Sequence, residues 1–319
     1  MPEIPGLDGV PWLDNARILE LTDVPEHLVI LGGSYIALEF GQIFRRFGAQ
    51  VTIIERGSQL VFREDADVAV AITEILELEG IDVVLDASAV SVAPEREGVA
   101  LTIEQAGEQR RVIGSHLFVA VGRTPNSDGL KADTAGIELD DRGFIVVDDY
   151  CRTTADGVFP VGDINGHGAF IHTSVNDAEI VLDQMRGGSR KLSDRFPVYD
   201  LFIDPALGRV GMTEKEAVAK GLNVLTATRR MSQIGRAKEM GETLGFAKLL
   251  VDADADTDLI LGAAILGPGG DEIVNMLAAF MYSGLPCRRY PKSVLVHPTI
   301  SELMPWILDS LKPVESSVG

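Results

Sequence analysis

The stretch HLVILGGSYIALEF, residues 27–40, decides the fold. An apolar run ends at a pair of glycines, an amphipathic pattern continues to Arg46, and a second apolar run, QVTIIE, covers residues 50–55. Strand, tight turn, helix and strand at these lengths predict a βαβ unit whose two strands are parallel. A dinucleotide-binding turn needs glycine first for the bend, a second small residue where backbone nears the pyrophosphate, and a third where helix packs on strand. Gly32, Ser34 and Ala37 hold those places, so serine stands where glycine is usual, with a hydroxyl able to donate to a phosphate oxygen. The helix opened here aims its first amides at an anion. Glu55 closes the second strand 23 residues after Gly32, where a carboxylate accepts from ribose hydroxyls and repels a 2′-phosphate. NADH is therefore favoured over NADPH, although Arg56 next door works against that preference. A tight turn with no ligand is the plain alternative.

Bulk properties narrow the rest. A chain of 319 residues with 46% hydrophobic content can bury two or three cores. Its net charge of −20, with no Lys/Arg cluster, excludes nucleic acid, whose phosphates are bound by such clusters. No apolar run reaches the roughly 20 residues of a membrane span, and Met1-Pro2-Glu3-Ile4-Pro5 lacks a secretory layout, so no membrane partner and a cytoplasmic location are expected. Cys151 and Cys287 form neither a CxxC nor a metal-ligand spacing and are expected to be unpaired thiols.

Along the chain, residues 1–22 read as a surface connection. After the βαβ unit come a second helix (AVAITEILELEG) and a small antiparallel meander that returns to a buried strand near Gly122. GFIVVDD (143–149) and GVFPVGD (157–163) read as short strands, followed by a helix from Thr173 to Met185. Beyond Arg195 lies an α+β domain with strands FAKLLVD and LILGAAILG and apolar helices DEIVNMLAAFMYSG and ELMPWILDSL, which predict pairing with a second copy. DADADTD (252–258) lacks the sixth-position Gly and twelfth-position Glu of a calcium loop and reads as an acidic hairpin tip; no metal site is expected. GPGGDE (267–272) could cradle phosphate, but turn glycines before a helix-capping Asp271 explain it equally well.

With GGSYIALE, VAVGRTPN, GVFPVGDING and HPTISE in this order, the chain resembles the pyridine nucleotide-disulfide oxidoreductases, the flavoenzyme family that includes dihydrolipoamide dehydrogenase and mercuric reductase. The resemblance covers essentially the whole chain. It implies an α/β fold in which a Rossmann-like NAD(P)-binding domain (24–122) is inserted in a partial FAD-binding domain, with 1–23 a linker remnant and 123–195 its second segment. An α+β dimerisation domain (196–319) then makes a homodimer. It places Gly32, Gly33, Ser34, Tyr35, Ile36, Glu55 and Arg56 at the nicotinamide coenzyme, with Gly122 and Arg123 beyond them. Glu39 matches an acidic residue that pairs near the flavin with a Lys just after the family's CxxxxC; a plain helix-surface carboxylate is the other reading. Gly162 and Asp163 match the motif whose Asp holds the ribityl chain, and the Thr173 helix would aim its positive end at the flavin. His172 just before that helix is either a flavin contact or a polar residue preceding the cap.

His297 and Glu302 match a dyad in which Glu orients an imidazole that exchanges protons with a thiol of the other subunit; a capping box from Thr299 to Glu302 is the alternative. The family's first flavin segment, with its ADP-binding GxGxxG and redox-active CxxxxC, has no counterpart in this sequence, and IPGLDGVPW resembles the linker that follows it. Impaired FAD binding is expected, and the reading stays divided between a flavoprotein oxidoreductase of unassigned acceptor, an inactive nucleotide-binding scaffold, and a split enzyme completed by a separate flavin-domain chain.

Overall fold

The computed structural model describes residues 2–96, 98–254 and 258–314. The opening stretch is a parallel crossover: β2 (His27–Leu31) pairs with β3 (Gln50–Ile54), joined by α1 (Tyr35–Arg46). Leu28 to Leu31 are all buried, as a strand covered on both faces demands. Helix α1 turns Ala37, Leu38, Gly41 and Phe44 inward, and α2 (Ala66–Leu78) does the same with Val68, Ile72, Ile75 and Leu76. β4 (Asp82–Val84) extends the sheet beside β3. The antiparallel strands β5 (Ala87–Glu95), β6 (Gly98–Gln105) and β7 (Glu108–Gly114) form the meander, and β8 (His116–Val119) returns parallel to β2.

Residues 1–22 are more than a surface connection. β1 (Trp12–Leu13) adds a fifth parallel strand beside β8, giving the order β1-β8-β2-β3-β4. Leu7, Val10 and Ile18 are buried in the adjoining cores. Three buried side chains anchor the segment, because each packs into a core built on the sheets.

Two compact units are present: residues up to Val121 together with those from Pro197 onward, and Gly122–Phe196. The second unit is built around α3 (Ile171–Met185), against which Cys151, Ile180, Val181 and Leu192 make a small core. The segments 143–149 and 157–163 are not strands: their alternation is right, but they gain single bonds such as Ile145 N–H to the Ile164 carbonyl rather than a ladder. Gly143 and Cys151, both at positive φ, bend the first of them away from a straight run.

The first unit resumes with β9 (Val198–Leu201), β10 (Leu207–Gly211), α4 (Glu214–Ala219), β11 (Val224–Arg230) and α5 (Gly235–Met240). β12 (Phe246–Asp252), β13 (Ile260–Leu266), α6 (Gly270–Tyr282), α7 (Met304–Leu308) and β14 (Lys312–Pro313) complete it. The strands form an antiparallel sheet of order β14-β11-β12-β13-β10-β9. Asp252 ends β12, and residues 255–257 of the acidic tip lie outside the described set. Asp271 sits in the first turn of α6 and does not cap it; Gly269, left-handed at φ +71, is the cap residue. Ile273, Val274, Leu277 and Met281 of α6, with Met304 and Ile307 of α7, are buried within this chain, so these helices spend much of their apolar surface on their own sheet. Leu201, Ile203, Leu207, Phe246 and Leu266 join the core of the nucleotide-type sheet, so the two sheets share one apolar cluster. No helix among the described residues is long and apolar enough to cross a membrane.

Candidate functional site

The turn after β2 is fixed by sterics. Gly32 has φ +113, and a Cβ there would stand 2.4 Å from the Ala120 carbonyl oxygen at the end of β8. Only glycine meets both conditions without displacing backbone. A Cβ on Gly33 would press on Leu60 and Glu55, and Ala37 is buried where the helix meets the sheet. Ser34 is the cap residue of α1 but its side chain makes no cap bond, an arrangement in which a helix N-terminus can receive an anion.

Glu55 is oriented by this turn. One carboxylate oxygen accepts from Gly33 N–H at 2.7 Å and the other from Gly57 N–H at 2.7 Å. Sequence reasoning gave this carboxylate to a ribose alone; in the structure it braces the glycine turn. Arg56 beside it is exposed. Tyr35 and Ile36 are half-buried, and the Tyr35 hydroxyl donates to Glu64 at 3.4 Å. Glu39 accepts from the Phe202 amide at 2.9 Å; burial raises its pKa and that amide opposes the rise. It is therefore tied to the segment after β9 rather than standing free on the helix surface.

In the second unit, Gly162 turns at φ +81 and leads into Asp163. Arg123 forms an ion pair with Asp163 and donates to the Ala169 carbonyl at 3.1 Å, while Gly122 lies exposed just before it. The residue that sequence reasoning missed is Asp177, 1% exposed on α3. Its carboxylate accepts from Gly162 N–H (2.9 Å), the Asn165 side-chain amide (2.7 Å) and Arg195 (2.7 Å). Its signal was faint: a carboxylate three and four positions before Ile180 and Val181 shares their inward face.

Helix α3 begins two residues earlier than Thr173. Phe170 is the cap position, and Thr173, inside the first turn, takes the Phe170 amide at 3.3 Å and donates to the Phe170 carbonyl at 2.7 Å. His172 is thus a first-turn residue, not a flanking one, and its ring stacks on Phe170 with centroids 5.3 Å apart.

His297 and Glu302 meet: Nδ1 lies 3.0 and 2.9 Å from the two carboxylate oxygens. Glu302 is 9% exposed and the imidazole 76%. A carboxylate on Nδ1 favours the proton on that nitrogen, and in the neutral ring Nε2 is then the acceptor. Thr299 donates to the Val296 carbonyl, so Glu302 serves the imidazole rather than a cap amide. Both cysteines are free and buried. Burial pushes Cys151 up to about 11; burial and Asp258, 3.1 Å from the thiol, push Cys287 up to about 12.

Residues 1–178 match the pyridine nucleotide-disulphide oxidoreductase family and residues 199–308 its dimerisation domain. A probable pyridine nucleotide-disulfide oxidoreductase, RclA of Escherichia coli, is 37% identical over 305 residues, covering 95% of this chain and 68% of its own length. Dihydrolipoyl dehydrogenase of Geobacillus stearothermophilus is 31% identical over 91% of this chain and 62% of its own. The structure of the HOCl-induced flavoprotein disulfide reductase RclA superposes with a TM-score of 0.90 at 35% identity, over 98% of this chain and 71% of that one.

Proposed function

The chain belongs to the pyridine nucleotide-disulphide oxidoreductase family, and from that premise we propose that it binds a reduced nicotinamide dinucleotide, NADH before NADPH, at the Gly32 turn. In this reading residues 24–122 are the nicotinamide domain, 123–195 a segment of a flavin domain and 196–319 a dimerisation domain. The observation that carries it is the Gly32–Tyr35 turn with the Glu55 carboxylate at its Gly33 amide: a glycine bend opening a helix, with an acid where this motif places the sugar.

The residues divide the work. Ser34 and the first amides of α1 would hold the pyrophosphate, and Glu55 the adenosine ribose. Asp163, oriented by Arg123, and the α3 amino terminus would receive parts of FAD, which supplies the two-electron carrier of this family. Bound there, a flavin would meet the positive end of a helix of 15 residues, which favours negative charge at that edge. His297, with Nδ1 held by Glu302, would exchange a proton through Nε2 across a homodimer interface.

Calorimetric titration of NADH and NADPH into the wild-type chain and Glu55→Ala tests the coenzyme reading. NADH affinity is expected to fall about tenfold and NADPH affinity less, because the ribose contact is lost only where it was favourable. Equal losses would leave Glu55 as a brace of the turn and overturn the preference.

A further inference from the structure

Glu64 is fully buried, yet it is a carboxylate on which four donors from distant parts of the sequence converge. Arg209 of β10, itself 1% exposed, donates through Nε at 3.0 Å and through Nη2. Tyr199 of β9 donates at 2.8 Å, and Tyr35, the first residue of α1, at 3.4 Å; the two rings meet edge to face at 5.7 Å. Next to Glu64, Asp65 accepts from the amides of Glu214 and Lys215 and lies 3.5 Å from Lys248, which also reaches Asp67 and Glu214 at 3.0 Å. Burial alone would raise the Asp65 carboxyl, but Lys248 and those two amides hold it below its ordinary value.

This cluster ends at the coenzyme turn. The Gly33 carbonyl accepts from Val61 N–H at 2.8 Å, and the Val61 carbonyl accepts from Glu64 N–H at 2.7 Å. Val61 holds φ +43, a left-handed conformation unusual for a β-branched residue, and it is 1% exposed. The Gly33 peptide is therefore bracketed, Glu55 on its amide and Val61 on its carbonyl, and the loop that does so is gripped at Glu64 by the C-terminal sheet. Stability alone is a weak reason for such a cluster, since apolar side chains of the same volume do as well in many proteins. Orientation is the stronger one, because fixed donors from two strands and a helix leave the carboxylate one position.

We propose that Arg209 and Tyr199 of the C-terminal sheet are positioning residues for the coenzyme turn, holding Gly33 and Tyr35 through Glu64 in the shape that receives the dinucleotide. This rests on the coenzyme reading of the Gly32 turn. The C-terminal sheet then serves the nicotinamide site through Glu64, in addition to any part it plays between subunits.

Two variants of the full chain test it. Tyr199→Phe removes one donor, and the double change Glu64→Leu with Arg209→Met removes the ion pair without stranding a charge. Both are expected to keep the wild-type thermal transition within a few degrees while the calorimetric dissociation constant for NADH rises about tenfold in the double variant and less in Tyr199→Phe. NADPH should weaken in the same proportion, because the turn serves the shared pyrophosphate, and amide exchange over residues 32–38 should quicken while β12 and β13 stay protected. Folded variants with wild-type affinity and exchange would overturn the proposal. Should the double variant not fold, Tyr199→Phe decides by the same criteria. If Glu55→Ala weakens NADH and these variants do not, the coenzyme reading stands and the positioning role falls. If the wild-type chain takes up no NADH, both fall.

Discussion

The Gly32 and Gly162 turns both run through a glycine at positive φ, but they are held by different forces. The first is closed by backbone: the Ala120 carbonyl, just past β8, leaves a side chain at Gly32 no room, and Glu55 and Val61 hydrogen-bond the Gly33 that follows. The second is fixed by one buried carboxylate, Asp177, with the exposed Arg123–Asp163 pair adding little in water. Where a sheet supplies the neighbours, exclusion by backbone is added to the hydrogen bonds; where one helix supplies them, a buried charge does most of the holding and only the Ser174 side chain closes the space.

Removing Asp177 should therefore be the most damaging single change. Asp177→Ala strands Arg195, Gly162 N–H and Asn165, and is expected to destabilise the 122–196 unit by about 3–5 kcal/mol. Hydrogen exchange should show the loss confined to that unit; a loss spread evenly over the chain would break the comparison. Gly32→Ala should cost roughly 2–3 kcal/mol, from positive φ and the clash with Ala120. It should also remove NADH binding, and a stable variant that still binds would show that the turn has slack.

Asp200 on β9 sharpens the contrast, because it is a carboxylate with a buried Oδ1 lacking a hydrogen-bond partner among the described residues. Burial, then Asp271 and Glu272, raise its pKa from 3.8 to about 6. A raised carboxyl binds its proton more tightly in the folded state, so its contribution is present below pH 3.8 and is lost as pH rises through 6. Asp200→Asn is accordingly expected to stabilise the chain at neutral pH by about 1 kcal/mol, discounted for its partial exposure. Thermal melts should show that gain vanish in acid; a gain independent of pH would assign it to something other than the charge.

The legible parts of the molecule were local ones. The βαβ unit, α2, the meander and β12–β13 follow from periodicity over neighbouring residues, and Gly32 with Glu55 from a spacing inside one crossover. The start of α3 was misread because its cap position is Phe170, a residue type that signals nothing, while Thr173, which looks like a cap, works from within the first turn. Segments 143–149 and 157–163 had the alternation of strands but no ladder to join, and partners cannot be read from alternation. Glu64 and Arg209 stand 145 positions apart, each unremarked among ordinary surface charges of the sequence, and only folding shows that they are buried together.

The two free thiols have a practical consequence. One sits in each compact unit, Cys151 in the thin core under α3 and Cys287 beside Asp258, and both hold their protons far above neutrality. An alkylating reagent at mildly alkaline pH should leave the native chain untouched and label each cysteine only as its surroundings open, Cys151 before Cys287, because its core is the smaller. The chain thus carries two built-in clocks, and mass spectrometry of the labelled peptides would time the opening of each unit separately.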